Sequence, residues 1–177
     1  MGELWSYKFH DASACTALSV ATANIEASTY GYDGKAAVDF DKVGDATERY
    51  AGAYVTLTGS KVGRCEKAGA SDYASLVIYP PAGTSPVLCL ALGESLTNFL
   101  EWRWTFRSYT SDQWNFLTAR LGGGTPKSYV GGTWGGSLGC NPGNIRFIAV
   151  YGYWTSGAAT QADVKIARVS IIRAADF

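Results

Sequence analysis

Residues 101–117 read EWRWTFRSYTSDQWNFL, and the stretch alternates. Trp102, Trp104 and Phe106 fall on one parity, and Glu101, Arg103, Thr105, Arg107 and Tyr109 on the other. Successive side chains of a strand point to opposite faces, so the pattern predicts a strand with one aromatic and one charged face. Burying one aromatic ring is worth roughly 2–3 kcal/mol, so three rings in register are expected to form core. The opposite face, with Glu101, Arg103 and Arg107, is then left for solvent or a partner.

The same reading extends outward in both directions. β-Branched and aromatic runs are punctuated by turn signals such as YDGK, TGSKVG, PPAGTSP and LGGGTP. Strands are expected near 4–9, 17–30, 35–40, 50–58, 74–80, 86–92, 99–109, 114–121, 145–154 and 162–173. Helical periodicity is nearly absent; GDATERYAG at 44–52 has room for one or two turns. Strands at this spacing, without βα alternation, predict an all-β chain: an antiparallel two-sheet β-sandwich of jelly-roll type. With 177 residues the chain is expected to form a single domain over 1–177. Residues 122–144 read as a long Gly-rich loop.

Two strands carry extra information. In NIRFIAVYGYW (144–154) both parities are apolar. Such a strand is either covered on both faces or uses its outer face as a contact surface. In ADVKIARVSIIR the apolar parity slips from Val164 and Ile166 to Val169 and Ile171, which predicts a β-bulge near Ala167–Arg168.

Composition narrows the function. Fifteen basic residues balance fifteen acidic ones, so no global field draws the chain to nucleic acid or anionic lipid. No 18-residue apolar run exists, and membrane insertion is not expected. Charged residues are 17% and aromatics 14%, a balance that suits contact with a protein or glycan surface. The neutrality conceals an asymmetry: residues 1–50 hold eight acids and four bases, and the remainder seven acids and eleven bases. Either the two halves pair on folding or copies attract head to tail. Cys15, Cys65, Cys89 and Cys140 are widely spaced with no zinc-like pattern; one or two disulfides in an oxidising compartment are expected, with Cys89 a candidate buried thiol. The N-terminus has no signal-peptide pattern, and the chain is read as a mature extracellular form.

The closing segment IRFIAVYGYWTSGAATQADVKIARVSII resembles the last strand pair of jelly rolls of the carbohydrate-binding-module kind. In those, a Gly/Ser loop leads to a strand that bears an Asp pair; here Asp163 matches, and Lys165 or Ala167 replaces the second acid. The run around Gly93 with LTNFLEWRWTF is similar to their middle strands. In size, and in low Asn, Gln and Met content, the chain also resembles the subunits of cannulae, the extracellular tubes of hyperthermophilic archaea. That resemblance implies subunits joined when a terminal strand of one completes the sheet of the next, with calcium assisting.

A lone His10 near the N-terminus does not make a catalytic triad, Asp39 and Asp41 share a face of a strand end but lack the nearby Glu that a hydrolase adds, and no phosphate loop is evident, so an enzyme is not expected. Asp33, Asp39, Asp41 and Asp45 crowd YGYDGKAAVDFDKVGD, and with Asp163 and Glu26 they are candidate Ca²⁺ ligands. Leu4, Trp5, Tyr7 and Phe9 mark residues 1–9 as an edge or exchanged strand. Trp134, Tyr151 and Trp154, with Tyr153, are candidates for stacking on glycan. The sequence thus favours a self-assembling extracellular homopolymer subunit, with a non-catalytic carbohydrate-binding module or a single-jelly-roll viral coat protein as alternatives.

Overall fold

The computed structural model describes residues 2–127, 133–134 and 139–176. Its strands, in chain order, begin with β1 (Glu3–Lys8), β2 (Thr16–Ala17), β3 (Thr22–Tyr32), β4 (Lys35–Lys42) and β5 (Tyr50–Thr56). The middle of the chain gives β6 (Tyr73–Tyr79), β7 (Val87–Ser95), β8 (Asn98–Trp104), β9 (Asn115–Arg120) and β10 (Thr125–Lys127). Two short strands, β11 (Thr133–Trp134) and β12 (Gly139–Cys140), precede β13 (Phe147–Tyr153) and β14 (Gln161–Ile172). Two six-stranded antiparallel sheets face each other, confirming the expected sandwich. The front sheet runs β10-β8-β7-β13-β5-β2, and the back sheet runs β3-β4-β14-β6-β9 with β1 also on β14.

The core lies between the sheets and follows the alternation of their strands. β13 sends Ile148, Val150 and then Trp154 inward, β7 sends Leu88, Leu90 and Leu92, and β8 sends Leu100, Trp102 and Trp104. Leu76, Ile78, Val164, Ile166, Val169 and Ile171 meet them from the back sheet. The two inward tryptophans of β8 also cross the sandwich. Trp102 Nε1 donates to the Arg120 carbonyl at 2.8 Å and Trp104 Nε1 to the Thr118 carbonyl at 3.1 Å. Those carbonyls belong to β9, the edge strand of the back sheet, so each indole satisfies its own N–H and an edge acceptor together.

Phe106 departs from its expected place in the core: it is 57% exposed. β8 ends at Trp104, and the Ser108 N–H closes a turn on the Thr105 carbonyl, so the alternation stops two residues before Phe106. Arg107 lies over the Phe106 ring at 5.8 Å.

β14 organises the back sheet. One edge pairs with β6; the other pairs first with β4 (Gln161 to Ile166) and then with β1 (Arg168 to Ile172). The register slips between Ile166 and Arg168, where the sequence predicts a bulge. β1 therefore completes its own sheet, and the expected strand exchange between copies has no support in this pairing.

The four cysteines carry free thiols instead of the expected disulfides. Burial pushes the Cys15 and Cys65 thiols up to about 11 and Cys140 further up. Cys89 sits in the apolar layer with Ala91, Phe147, Ala149 and Tyr151 on the outer side of the front sheet.

Candidate functional site

The double apolar pattern of β13 supplies both the core and the front sheet's outer face. Ile148, Val150 and Trp154 go inward, while Phe147, Ala149, Tyr151 and Tyr153 face out. β13 is central, flanked by β7 and β5. On its neighbours small outward positions lie among large ones, with Cys89, Ala91 and Gly93 on β7 and Gly52 between Tyr50 and Tyr54 on β5. A depression of about 280 Å³ opens on this face, with Ala149 set among Tyr50, Phe99, Phe147 and Tyr151. At Gly52 a Cβ would fall 2.3 Å from both the Val150 carbonyl oxygen and the Tyr151 Cβ, so β5 can lie this close to β13 only with glycine there.

Rings border this depression. Tyr50 meets Tyr153 with centroids 4.8 Å apart and Tyr151 edge-on at 5.9 Å. Tyr54 and Phe99 each lie 5.5 Å from Phe147. Leu18 and Ser19, just after β2, close one side.

A polar chain crosses the same depression. Arg103 Nε and the Tyr151 hydroxyl both donate to the Glu101 carboxylate. The Arg103 guanidinium also reaches the Tyr50 hydroxyl at 3.4 Å. Glu101 is 3% and Tyr151 4% exposed, whereas Arg103 is exposed. Burial, then the Glu101 charge, pushes the Tyr151 phenol up, so it stays a protonated donor. The hydrogen bond to Glu101 holds the Arg103 guanidinium more firmly protonated. At the rim Glu48 accepts from the Tyr50 N–H at 2.8 Å. The arrangement offers flat apolar rings beside fixed, mutually paired donors and acceptors, the two kinds of contact that a sugar's C–H face and hydroxyls require.

The residues expected from sequence are distributed unevenly. Glu101, Arg103 and Tyr151 converge here, although Glu101 and Tyr151 are buried rather than exposed. Arg107 lies beyond the end of β8. Trp154 is 2% exposed, and the expectation that it stacks on a ligand is corrected. Its ring folds back into the core over Gly152, where a Cβ would lie 2.5 Å from the indole, and its Nε1 donates to Thr84 Oγ1 at 2.9 Å. The Trp134 side chain falls outside the described residues. Tyr50, Tyr54 and Phe99 escaped the sequence reading; the alternation of YAGAYVT (50–56), with tyrosines four apart and small residues between, was the available signal.

Of the six candidate calcium ligands, Asp33 and Asp45 stand apart, while Glu26, Asp39, Asp41 and Asp163 are neighbours on β3, β4 and β14. Asp33 sits in the β3–β4 turn at φ 51°. Asp45 accepts from the Thr47 and Glu48 N–H groups at 2.8 and 2.7 Å, capping a turn. Asp41 accepts from Asn24 at 2.7 Å and from the Asp163 N–H at 2.8 Å. Asp39 is buried opposite Glu26 and beside Asp163. Its carboxyl is raised, mainly by burial and then by the Asp163 charge. Among the described residues no three His, Cys, Asp or Glu side chains converge as an ion site. Residues of the expected assembly strand also serve this fold: Phe9 is core, and Leu4, Trp5 and Tyr7 pack against it.

Comparison with solved structures places this architecture. The chain matches the family 11 carbohydrate-binding module of the cellulosomal cellulase Lic26A-Cel5E of Clostridium thermocellum. The TM-score is 0.53 at 11% identity, over 96% of this chain and 86% of that one. It matches the CBM22-1 xylan-binding domain from Paenibacillus barcinonensis Xyn10C with a TM-score of 0.51 and 14% identity, over 97% and 94%. The fold is one that carbohydrate-binding modules share. It also matches the CBM22-1–GH10 segment of Clostridium thermocellum xylanase 10B, with a TM-score of 0.51 and 15% identity, over 97% of this chain. The chain spans 28% of that segment's length. Identities this low establish the jelly-roll fold and nothing finer. No family model and no curated protein matches the chain. Among the described residues, no helix is long and apolar enough to cross a membrane.

Proposed function

We propose that the chain is a non-catalytic carbohydrate-binding module that takes a neutral glycan in the front-sheet depression. The observation that carries this reading is the union of the Tyr50–Tyr151–Tyr153 ring cluster with the Glu101–Arg103 pair at one open depression. Glu101 and Arg103 cancel each other's charge, so an uncharged polyhydroxyl ligand fits better than an ion. Tyr50 supplies a half-buried ring face for stacking, and Arg103 supplies N–H donors at the open side. The site has no pair of free carboxyl groups placed for acid–base work, since Glu101 is engaged by two donors. The fold supports the reading further, because the matched structures are binding modules such as a xylan-binding domain or larger chains containing them. Modules of this kind act outside the cell, and the same location is proposed here.

The test is titration calorimetry with xylan, a mixed-linked β-glucan and agarose oligosaccharides. The expected result is saturable binding of at least one, weakened about ten-fold by Tyr50→Ala, in line with the roughly 1–1.5 kcal/mol of a stacked ring. Binding that Tyr50→Ala leaves untouched, or no binding across a broad neutral-glycan panel, overturns the proposal.

A further inference from the structure

The back sheet carries a second cavity, built by a different device. Along one edge of β14, β4 ends its pairing at Ile166 and β1 begins its pairing at Arg168. At this junction β14 also bulges. The gap between the two abutting strands opens as a cavity of about 390 Å³ lined by Lys8, His10, Tyr32, Asp33, Lys35 and Arg168. Three permanent cations meet there in a chain of zero net charge. One acid, Asp33, shares the wall, and Glu3 reaches Arg168 Nη1 at 3.6 Å from outside it. His10 Nδ1 donates to the Lys8 carbonyl at 2.9 Å, which fixes the ring at the rim.

Arg168 is the informative member. Its Nε is buried and has no hydrogen-bond partner. A buried guanidinium N–H without an acceptor is costly, and a two-oxygen anion matches the guanidinium fork.

The cavity continues into aromatic surface. Tyr32 lines it and meets Trp114 at 5.5 Å. Tyr30 stacks on Trp114 at 6.4 Å and 25°, and meets Tyr79 at 5.6 Å. Tyr30 is 56% exposed, and Trp114 Nε1 is a second buried donor without a partner. Ala37, Val77 and Ala167 form the small-residue floor beneath Tyr32 and Trp114. Toward the opposite end of the sheet the charge reverses, with Glu26, Asp39 and Asp163 grouped around Lys165. An anion is therefore favoured at the Arg168 end alone.

We infer that the back sheet binds an acidic oligosaccharide, with neutral rings lying on Tyr30, Tyr32 and Trp114 and one carboxylate or sulfate group seated in the Lys8–Lys35–Arg168 cavity. The two anions share the chemistry that Arg168 needs, and they differ in oxygen geometry. This site lies on the sheet opposite the proposed neutral-glycan site and does not depend on that reading.

The full chain is titrated by calorimetry with an oligogalacturonide, a sulfated galactan oligosaccharide and uncharged xylo-oligosaccharide. Saturable binding of one or both anionic probes is expected. Lys8→Gln with Lys35→Gln, both exposed and safe for folding, should weaken it at least ten-fold. Lys67→Gln, an exposed cation lining neither cavity, should leave it within two-fold. Arg168→Gln should weaken it as far as the double variant does, with folding checked by circular dichroism. Binding of the galacturonide alone assigns a carboxylate and binding of the galactan alone a sulfate; either supports the site. Absence of saturable binding of both anionic probes overturns the inference. So does equal weakening by Lys67→Gln, or binding unaffected by the Lys8 and Lys35 substitutions.

Discussion

The two sheets of this sandwich present unlike outer faces. On the front, strand neighbours alternate large rings with glycine, alanine and cysteine, and the polar groups crossing the depression satisfy one another. On the back, rings from β3, β6 and the segment before β9 pack on each other above small residues, and two buried N–H groups have no partner. The front face is thus organised before any ligand arrives, with little to gain beyond stacking and hydroxyl exchange. The back face holds uncompensated donors, so its affinity for an acceptor should be larger per contact. The contrast teaches that ring content alone does not define a binding face. What differs is whether the polar atoms among the rings are already paired.

The strongest way to break the comparison removes what both faces share. Trp154→Ala empties the core beneath β13 and should cost about 3–5 kcal/mol, read as a large fall in the urea midpoint. Both faces should then fail together. Loss of glycan binding with stability intact would return Trp154 to the surface and contradict its burial.

A smaller effect separates the faces. Glu101→Gln keeps the shape but removes the charge that Arg103 and Tyr151 share. About 1–3 kcal/mol of stability should be lost, discounted toward the low end because Arg103 is partly in water. Neutral-glycan affinity should fall by about ten-fold or more. Binding of anionic oligosaccharide should be unchanged, and a parallel loss of both would show that the two faces are one site.

The smallest effect belongs to the acidic end of the back sheet. Asp39 has a folded pKa raised by burial and by Asp163, so ionising it works against the fold. The stability held by its protonated form is full below the ordinary aspartate value near 3.9 and is lost as pH rises through the raised value. Asp39→Asn should therefore raise Tm by about 2–4 °C at pH 7, and the gain should vanish as pH falls below about 4. A gain that persists at pH 3 would assign the effect to packing instead of charge.

Much of this fold was legible from period-two patterns. Trp102 and Trp104 face inward as their alternation requires, and the parity slip at Ala167–Arg168 is a real bulge. The two-sided strand at 147–153 is central, with apolar side chains on both faces. Alternation failed where strands end. Nothing in WTFRS says that β8 stops at Trp104, which put Phe106 on the wrong side of the surface. At Trp154 the alternation with Ile148 and Val150 held, and it was the stacking role that failed; the room for that indole comes from Gly152 two residues earlier. The sites were less legible than the fold. Tyr30, Tyr32, Tyr79 and Trp114 come from three segments, and only strand order makes them neighbours. The Lys8–Lys35–Arg168 cavity depends on two strands abutting along a third, a relation that no local pattern encodes. The acidic run at 33–45 shows the converse: residues close in sequence are dispersed by turn capping and strand alternation.

The shared edge of β14 also sets a timetable. That strand carries residues 161–172 and is the common partner of β1, β4 and β6. Among the described residues β1 has no other strand partner, so it waits for about 160 residues of chain before it can pair. Pairings this distant in sequence make folding slow, and they leave the edges of β4 and β6 uncovered until the last strand arrives. During synthesis the back sheet is therefore the last part of the molecule to become safe from misassociation, and its cation cavity comes into existence in the final step of folding.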